Sequence, residues 1–455
     1  MPWVVDNSAK QVERAFDISG RWLVVALAGM ALAIGALHFA ALAHCPKPEL
    51  DRLNLSDFYP MSVFRLRWPK PYQLVLAAGY IAAFSWLWSR LARAPLGLVF
   101  VAGLLFAVLS NGLHGVRYGL DFPTATSGTG GIEYYHDALV IRGPLWLLQH
   151  FNAVQFELLE HSRTHPPGPV LLYWVLAQVL RAPVLISIAI TAVSLGLTLP
   201  ALRRLWVLVF GEVPPGALAL FTILPAWLVY GLAVVDAPIA GLFLGCVVCF
   251  VDRERQWSWL AAGLLLFLSL FFTFGALFLL PVLVGFELVR ERSIRRSLKA
   301  LGVAGLLLVL LKPLFGFDWL AAFSLAARME NPGGFLLFVE PKRYLWYRLG
   351  AVGEVALFFT PFLCWLGVRG FPPLRRLSGD GFALAWLGPG SLAAMLLSGA
   401  FKIGEVARIA LFILPFLLLP VVAAFRELSD SGRARVAHAV VLYGALLQLF
   451  GFYQW

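Results

Sequence analysis

Apolar runs long enough to cross a bilayer core of about 30 Å recur along almost the whole chain. They fall near 22–42, 73–91, 95–112, 183–202, 213–233, 237–251, 257–274, 275–290, 297–315, 349–367, 379–398, 406–425 and 435–453, and a shorter run, 168–180, follows His165-Pro166-Pro167-Gly168. A chain built this way folds as an all-α polytopic membrane protein. Composition agrees: 13% of residues are charged and 60% hydrophobic, where a soluble domain carries about 25% charge. The first run is too long for a cleaved signal core and is expected to stay as an anchor.

The basic residues fix the expected sidedness. Short loops rich in Lys and Arg stay in the cytoplasm, which assigns Arg90/Arg93, Arg203/Arg204, 252–255, 290–296, Arg375/Arg376 and 426–435 to the inside. Threading them with the N-terminus inside requires that 168–180 be short or re-entrant. About thirteen crossings and an external C-terminus follow. The net charge of +11 is thus spent against anionic lipid rather than nucleic acid. Cys246 and Cys249 form a C-x-x-C, but both sit in an apolar run with no second pair, so they read as small packed residues rather than a zinc or redox site.

This threading divides the chain into an N-terminal hairpin region (1–112), an external segment (113–182) and the remaining bundle (183–455) with a second external loop at 316–348. Segments 43–72 and 399–405, and Asp236 at a span end, face the same compartment. The external segment is the one long piece that is not oily, and it gathers Asp121, Glu133 and Asp137 with His136, His150, His161 and His165. Carboxylates and histidines on one side of a bilayer are where chemistry is to be expected. Within it, 145–161 has apolar residues at helical spacing but is too polar to span, which predicts an amphipathic helix lying in the interface. A second such helix is expected at 319–328, and 340–348 (EPKRYLWYR) mixes cations with aromatics as an interfacial belt does.

The order of these features resembles the polytopic C-type glycosyltransferases (GT-C fold), especially the protein O-mannosyltransferases and the lipid A aminoarabinose transferases. Residues 131–138 (GIEYYHDA) resemble the acidic-aromatic segment of the family's first external loop, and the amphipathic helix after it is similar to the family's juxtamembrane helix. Residues 164–174 (THPPGPVLLYW) are similar to its His-Pro-Pro or Lys-Pro-Pro element, and 202–211 (LRRLWVLVFG) to its basic turn. Residues 233–243 (AVVDAPIAGLF) look like its Asp-Ala-Pro segment, and 405–415 (EVARIALFILP) like its late Arg-bearing span. The likeness covers roughly 130–420. Two extra spans precede the first loop here, Ile132-Glu133 stands where the family carries an acidic pair, and a Lys often found near Thr273-Phe274-Gly275 is absent.

The resemblance implies an enzyme of the bacterial cytoplasmic membrane that takes a sugar from a polyprenyl-phosphate donor and gives it to a lipid, glycan or protein acceptor outside, as an inverting hexosyl- or pentosyltransferase. Such a reaction needs a base for the acceptor's proton and a cation for the departing phosphate. Asp137 is the first choice for the base, then Glu133, then Asp121; the plain alternative is that they cap helices or pair with Arg142 and Arg163. Arg408 leads for the phosphate, because a guanidinium grips two oxygens and keeps its proton. Lys402 and the cluster Lys342, Arg343 and Arg348 come second, against the alternative that they meet lipid headgroups, while Lys312 is expected to snorkel.

His165, held by two prolines, is expected to bind the donor phosphate or orient a carboxylate, or else simply to start a span. His161 and His165 are four apart, but the prolines interrupt a shared metal-binding face. Asp236 precedes Ala237-Pro238 at a span end, where a charge in hydrocarbon is expensive without a purpose; the plain alternative is a helix cap, and by resemblance it would organise the site or ligate a divalent metal ion in members that use one. The competing functional class is a transporter or flippase of lipid-linked sugars, which calls for mid-membrane polar residues and two repeated halves. A ligase or polymerase would favour a large external loop late in the chain.

Overall fold

The computed structural model describes Gly29 and residues 63–121, 124, 134–330, 333–399 and 406–453; the first apolar run, 22–42, lies outside them. The fold is helical, with one small addition: Val63–Leu66 pairs antiparallel with Gly451–Tyr453. Among the described residues six helices are long and apolar enough to cross a membrane, namely Pro71–Leu91, Leu96–His114, Pro183–Phe210, Arg295–Phe315, Gly379–Leu397 and the continuous stretch Val406–Arg426, or seven if the bent pair Pro341–Phe359 and Pro361–Leu377 is one span. Apolar helices Gly168–Val179, Asp236–Val251 and Ser258–Phe272 are shorter. At 1.5 Å per residue the first of these spans about 18 Å, too little for a crossing, as the threading of the basic loops requires.

Val406–Arg426 is the central post, with 89% of its apolar window buried, whereas Arg295–Phe315 stands at the periphery with 17%. The post packs against Pro361–Leu377 at a contact where Gly370 faces the backbone of Pro420 so closely that no Cβ would fit.

Two expected runs are broken. Run 213–233 is not one helix but two short ones, Ala217–Thr222 and Pro225–Tyr230. Pro225 lacks the N–H that would continue a helix across Ile223 and Leu224, and the whole segment is sunk in the bundle, with Trp227 and Tyr230 fully buried. Run 349–367 bends by 92° between Pro341–Phe359 and Pro361–Leu377. The hinge is Thr360, at φ +80°, followed by a proline that is tolerated only in a first helical turn. Run 275–290 starts as a tight 3-10 turn, Phe274–Leu279, held where the Thr273 hydroxyl accepts from the Gly275 N–H at 3.1 Å.

The basic loops meet one another. Arg93 pairs with Asp430 at 3.0 Å, Arg426 with Glu212 at 3.3 Å, and Arg204 with Asp252 at 2.8 Å and Glu254 at 2.6 Å. Arg253 then pairs with Glu291, and Arg290 with Asp380. Every arginine-bearing loop assigned to one side is thereby joined to the next. Each isolated exposed pair is weak, about 0–1 kcal/mol, but five connections between loops so distant in sequence can close only if all six lie at one end of the bundle. The Arg204 hydrogen bond holds the Asp252 carboxyl below its ordinary range.

Candidate active site

The other end of the bundle carries Asp236, Arg408, Asp137 and His165. Helix Asp236–Val251 has Asp252 and the arginine-rich loops at its C-terminal end, so Asp236 sits about 24 Å away, sixteen residues up the helix axis. Arg408 stands in the same way at the opposite end of the central post from Arg426.

These two meet. Asp236 Oδ2 lies 3.2 Å from Arg408 Nε, with the side chains 25% and 11% exposed. A charge this deep in an apolar bundle is tolerated only with a partner, and residues 172 positions apart supply it to each other. Beside them is an acid that sequence reasoning missed. Glu354 is fully buried in the helix Pro341–Phe359, and its Oε1 accepts from the Ala407 N–H at 3.0 Å, one residue before Arg408. An acid inside run 349–367 was the available signal, since intramembrane carboxylates are rarely idle.

Asp137 belongs to a separate layer. It lies on the short helix Tyr134–Val140, is buried, and accepts from the Leu159 N–H at 3.1 Å. Burial pushes its carboxyl up, against hydrogen bonds from Ser162 and Leu159 that pull it down. The plain alternative, a pair between Asp137 and Arg142 or Arg163, is not seen among the described residues; the Arg142 guanidinium lies over the Trp146 ring, 5.8 Å from its centroid.

Aromatic contacts join this layer to the Asp236 region. Tyr134 meets the edge of His165 at 5.5 Å and stacks on Tyr173 at 6.4 Å between centroids. The Tyr173 hydroxyl donates to the Ala233 carbonyl at 2.6 Å, three residues before Asp236. Ala233 has φ +66°, a conformation that costs a residue with a Cβ on the order of 1 kcal/mol, so the contacts around it hold it there. His165 Nδ1 is 3.0 Å from the His161 carbonyl oxygen, which makes Nδ1 the donor, since a carbonyl only accepts. After the prolines the chain enters Gly168–Val179 at Gly168, where a Cβ would collide with the Phe271 carbonyl. His165 thus lies in the turn that leads into this helix.

The interfacial helix expected at 145–161 is Pro144–Val154, continued by a 3-10 turn, Gln155–Glu157, and a final short helix, Glu160–Arg163. Two of its polar side chains, Asn152 and Gln155, reach segment 316–330, while Gln149, His150 and Glu157 are exposed. Asn152 Nδ2 donates to the Asp318 carbonyl and Asn152 Oδ1 accepts from the Asp318 N–H, both at 2.8 Å. Gln155 Nε2 donates to the carbonyls of Arg163 and Ala322 at 2.9 and 3.0 Å. The second helix, expected at 319–328, is present as Trp319–Glu330, and its Trp319 Nε1 donates to the Leu270 carbonyl at 2.8 Å. Lys312 does not simply snorkel but pairs with Asp318 at 2.7 Å, which holds that carboxyl below its ordinary range.

Asp121 ends the helix Val116–Asp121 and is half-buried, and its carbonyl accepts from the Thr124 hydroxyl at 3.0 Å. Arg343 is engaged by Glu340 at 3.4 Å and by the Tyr347 hydroxyl, and Arg348 lies over the Tyr344 ring at 4.8 Å. Lys342, at the same helix start, is exposed. Glu133 and Lys402 lie outside the described residues. The Asp236 carboxylate faces a guanidinium, and among the described residues no three His, Cys, Asp or Glu side chains gather as a metal site.

No family model, curated protein or solved structure matches the chain.

Proposed function

We propose that this protein is a membrane glycosyltransferase of the GT-C type, with about thirteen crossings, that transfers a sugar from a polyprenyl-phosphate donor to an acceptor at the external face. The observation that carries the reading is the Asp236–Arg408 pair, 3.2 Å apart, at the end of the bundle away from the arginine-rich loops and linked through Tyr173 and Tyr134 to His165. In this reading the acceptor hydroxyl loses its proton to Asp137 or Glu133 as its oxygen attacks the anomeric carbon. The bond from that carbon to the phosphate oxygen breaks, and the electron pair leaves with the polyprenyl phosphate. Arg408, oriented by Asp236, stabilises the phosphate charge as it grows, and His165 contributes from the loop above. Asp121, Lys402 and Arg343 are the secondary candidates for these roles.

The test is to incubate purified protein with a panel of radiolabelled polyprenyl-phosphate sugars and measure released carrier and labelled acceptor. One sugar lipid is expected to turn over, and Arg408→Ala to weaken its use. Folded protein that is inert toward the whole panel, with and without membrane-extract acceptors, overturns the proposal.

A further inference from the structure

A second polar-apolar junction lies at the end of the bundle opposite the candidate active site. The helices Pro361–Leu377 and Gly379–Leu397 turn back on each other there and enclose an open cleft of about 690 Å³ lined by Phe371, Pro372, Arg375, Arg376, Phe382 and Trp386. Its wall is aromatic: Phe371 and Trp386 are 5.2 Å apart between centroids, Phe371 and Phe382 6.2 Å, and Phe382 and Trp386 6.5 Å. Trp386 nevertheless keeps 60% of its surface exposed, and Leu377 beside the cleft 51%. Exposed aromatic surface at the end of a membrane helix is suited to the boundary between acyl chain and headgroup.

The charges at its mouth are of one sign. At neighbouring junctions the arginines are matched with acids, and the carboxylate closest in sequence, Asp380, is already taken by Arg290. Arg375 and Arg376 are exposed, and among the described residues neither has a carboxylate partner. The Arg375 guanidinium instead lies 5.7 Å from the Phe382 ring centroid, which leaves its hydrogen-bonding edges available to an anion. An occupant must therefore bring both an anionic group for two adjacent guanidinium forks and an apolar chain for three rings.

We propose that this cleft binds one anionic phospholipid, with its phosphate between Arg375 and Arg376 and an acyl chain along Phe371, Phe382 and Trp386. Guanidinium pairs suit phosphate geometry, and anionic lipid is drawn to cations at the membrane surface. The site does not depend on the proposed transferase reaction, since its residues lie at the other end of the bundle.

The full-length protein, delipidated and placed in phosphatidylcholine nanodiscs doped with phosphatidylglycerol, is ejected into a native mass spectrometer and its retained lipids are counted. One phosphatidylglycerol is expected to survive on the wild type. Arg375→Ala/Arg376→Ala is expected to weaken retention by about 30-fold, the loss of two surface cations, and Trp386→Ala to weaken it without changing charge. Arg203→Ala/Arg255→Ala, which removes equal charge from the same end, serves as control and is expected to change it less than about 2-fold. Equal losses in the two double variants overturn the proposal, because loop charge in general would then account for retention. Retention of phosphatidylcholine as strong as that of phosphatidylglycerol overturns it too, as does displacement of the lipid by millimolar inorganic phosphate, which would make this a free-phosphate site. All of the variants alter exposed side chains, and a melting temperature matching wild type in the same nanodiscs confirms that each is folded.

Discussion

Breaking the pair between Asp236 and Arg408 tests the centre of the proposed site, and its size can be set in advance. Removing one partner of a fully buried ion pair costs about 3–5 kcal/mol, chiefly because the other charge is stranded. Arg408 is 11% exposed but Asp236 25%, so water reaches one side and screens part of the loss. Asp236→Asn and Arg408→Met are therefore each expected to destabilise by about 2–3 kcal/mol. The double variant strands neither charge of the pair, so it should be no less stable than the worse single, which gives a coupling of about 2 kcal/mol. Unfolding by sodium dodecyl sulfate titration in mixed micelles measures all four corners of the cycle. If the two losses add to within about 0.5 kcal/mol, the pair is an accident of proximity, and the argument that each charge is held in the bundle for the other fails.

Asp137→Asn and Glu133→Gln are each expected to abolish sugar transfer with folding retained in detergent, and unchanged turnover in both would remove the base assignment. Because burial raises the Asp137 carboxyl, turnover dependent on its ionised form should rise as pH passes upward through the raised value. Stability should move the other way: a raised folded-state value contributes stability at pH below the unfolded carboxylate value and loses it as pH rises through the folded one. A thermal-shift series at graded pH should show this slope in the wild type and not in Asp137→Asn. Tyr173→Phe removes the 2.6 Å bond to the Ala233 carbonyl and is expected to cost about 1 kcal/mol of stability. It should also lower the turnover number more than it changes donor affinity, and a wild-type turnover number counts against Tyr173 as a positioning residue.

That the basic loops share one end of the bundle was legible because it is written in charge: Arg93, Arg204, Arg253, Arg290 and Arg426 sit between apolar runs, and these same residues make the ion pairs between loops. The helices Pro71–Leu91 and Leu96–His114 were also legible, since unbroken apolar stretches leave the backbone one satisfactory conformation in lipid. Run 213–233 was not. Hydropathy measures what a segment can bury and is indifferent to whether it faces lipid or protein, so a broken, wholly enclosed piece scored like a span. The bend at Thr360 escaped for a related reason, because Thr-Pro is acceptable both inside a run and at its edge. Of the candidate site, Asp236 and Arg408 could be marked as expensive charges and their meeting expected from sidedness and the family likeness. Glu354 was passed over because the apolar residues on either side hid it, and the partnership of Asn152 with Asp318 depends on two loops whose approach no local pattern records.

The two ends of the described chain are stitched together. Val63–Leu66 pairs with Gly451–Tyr453, and Arg67 donates to the Gln448 carbonyl at 2.6 Å across 381 residues, while Gln448 itself reaches Asn111 at 3.5 Å. During biosynthesis the first two described helices must therefore wait in the bilayer, with the polar groups Arg67, Ser110 and Asn111 lacking this cover, until translation delivers helix Asp430–Phe450 to seal them. Contacts of such long sequence separation form late and leave intermediates vulnerable. Nascent chains halted before that helix should accordingly be prime substrates for membrane quality-control proteases.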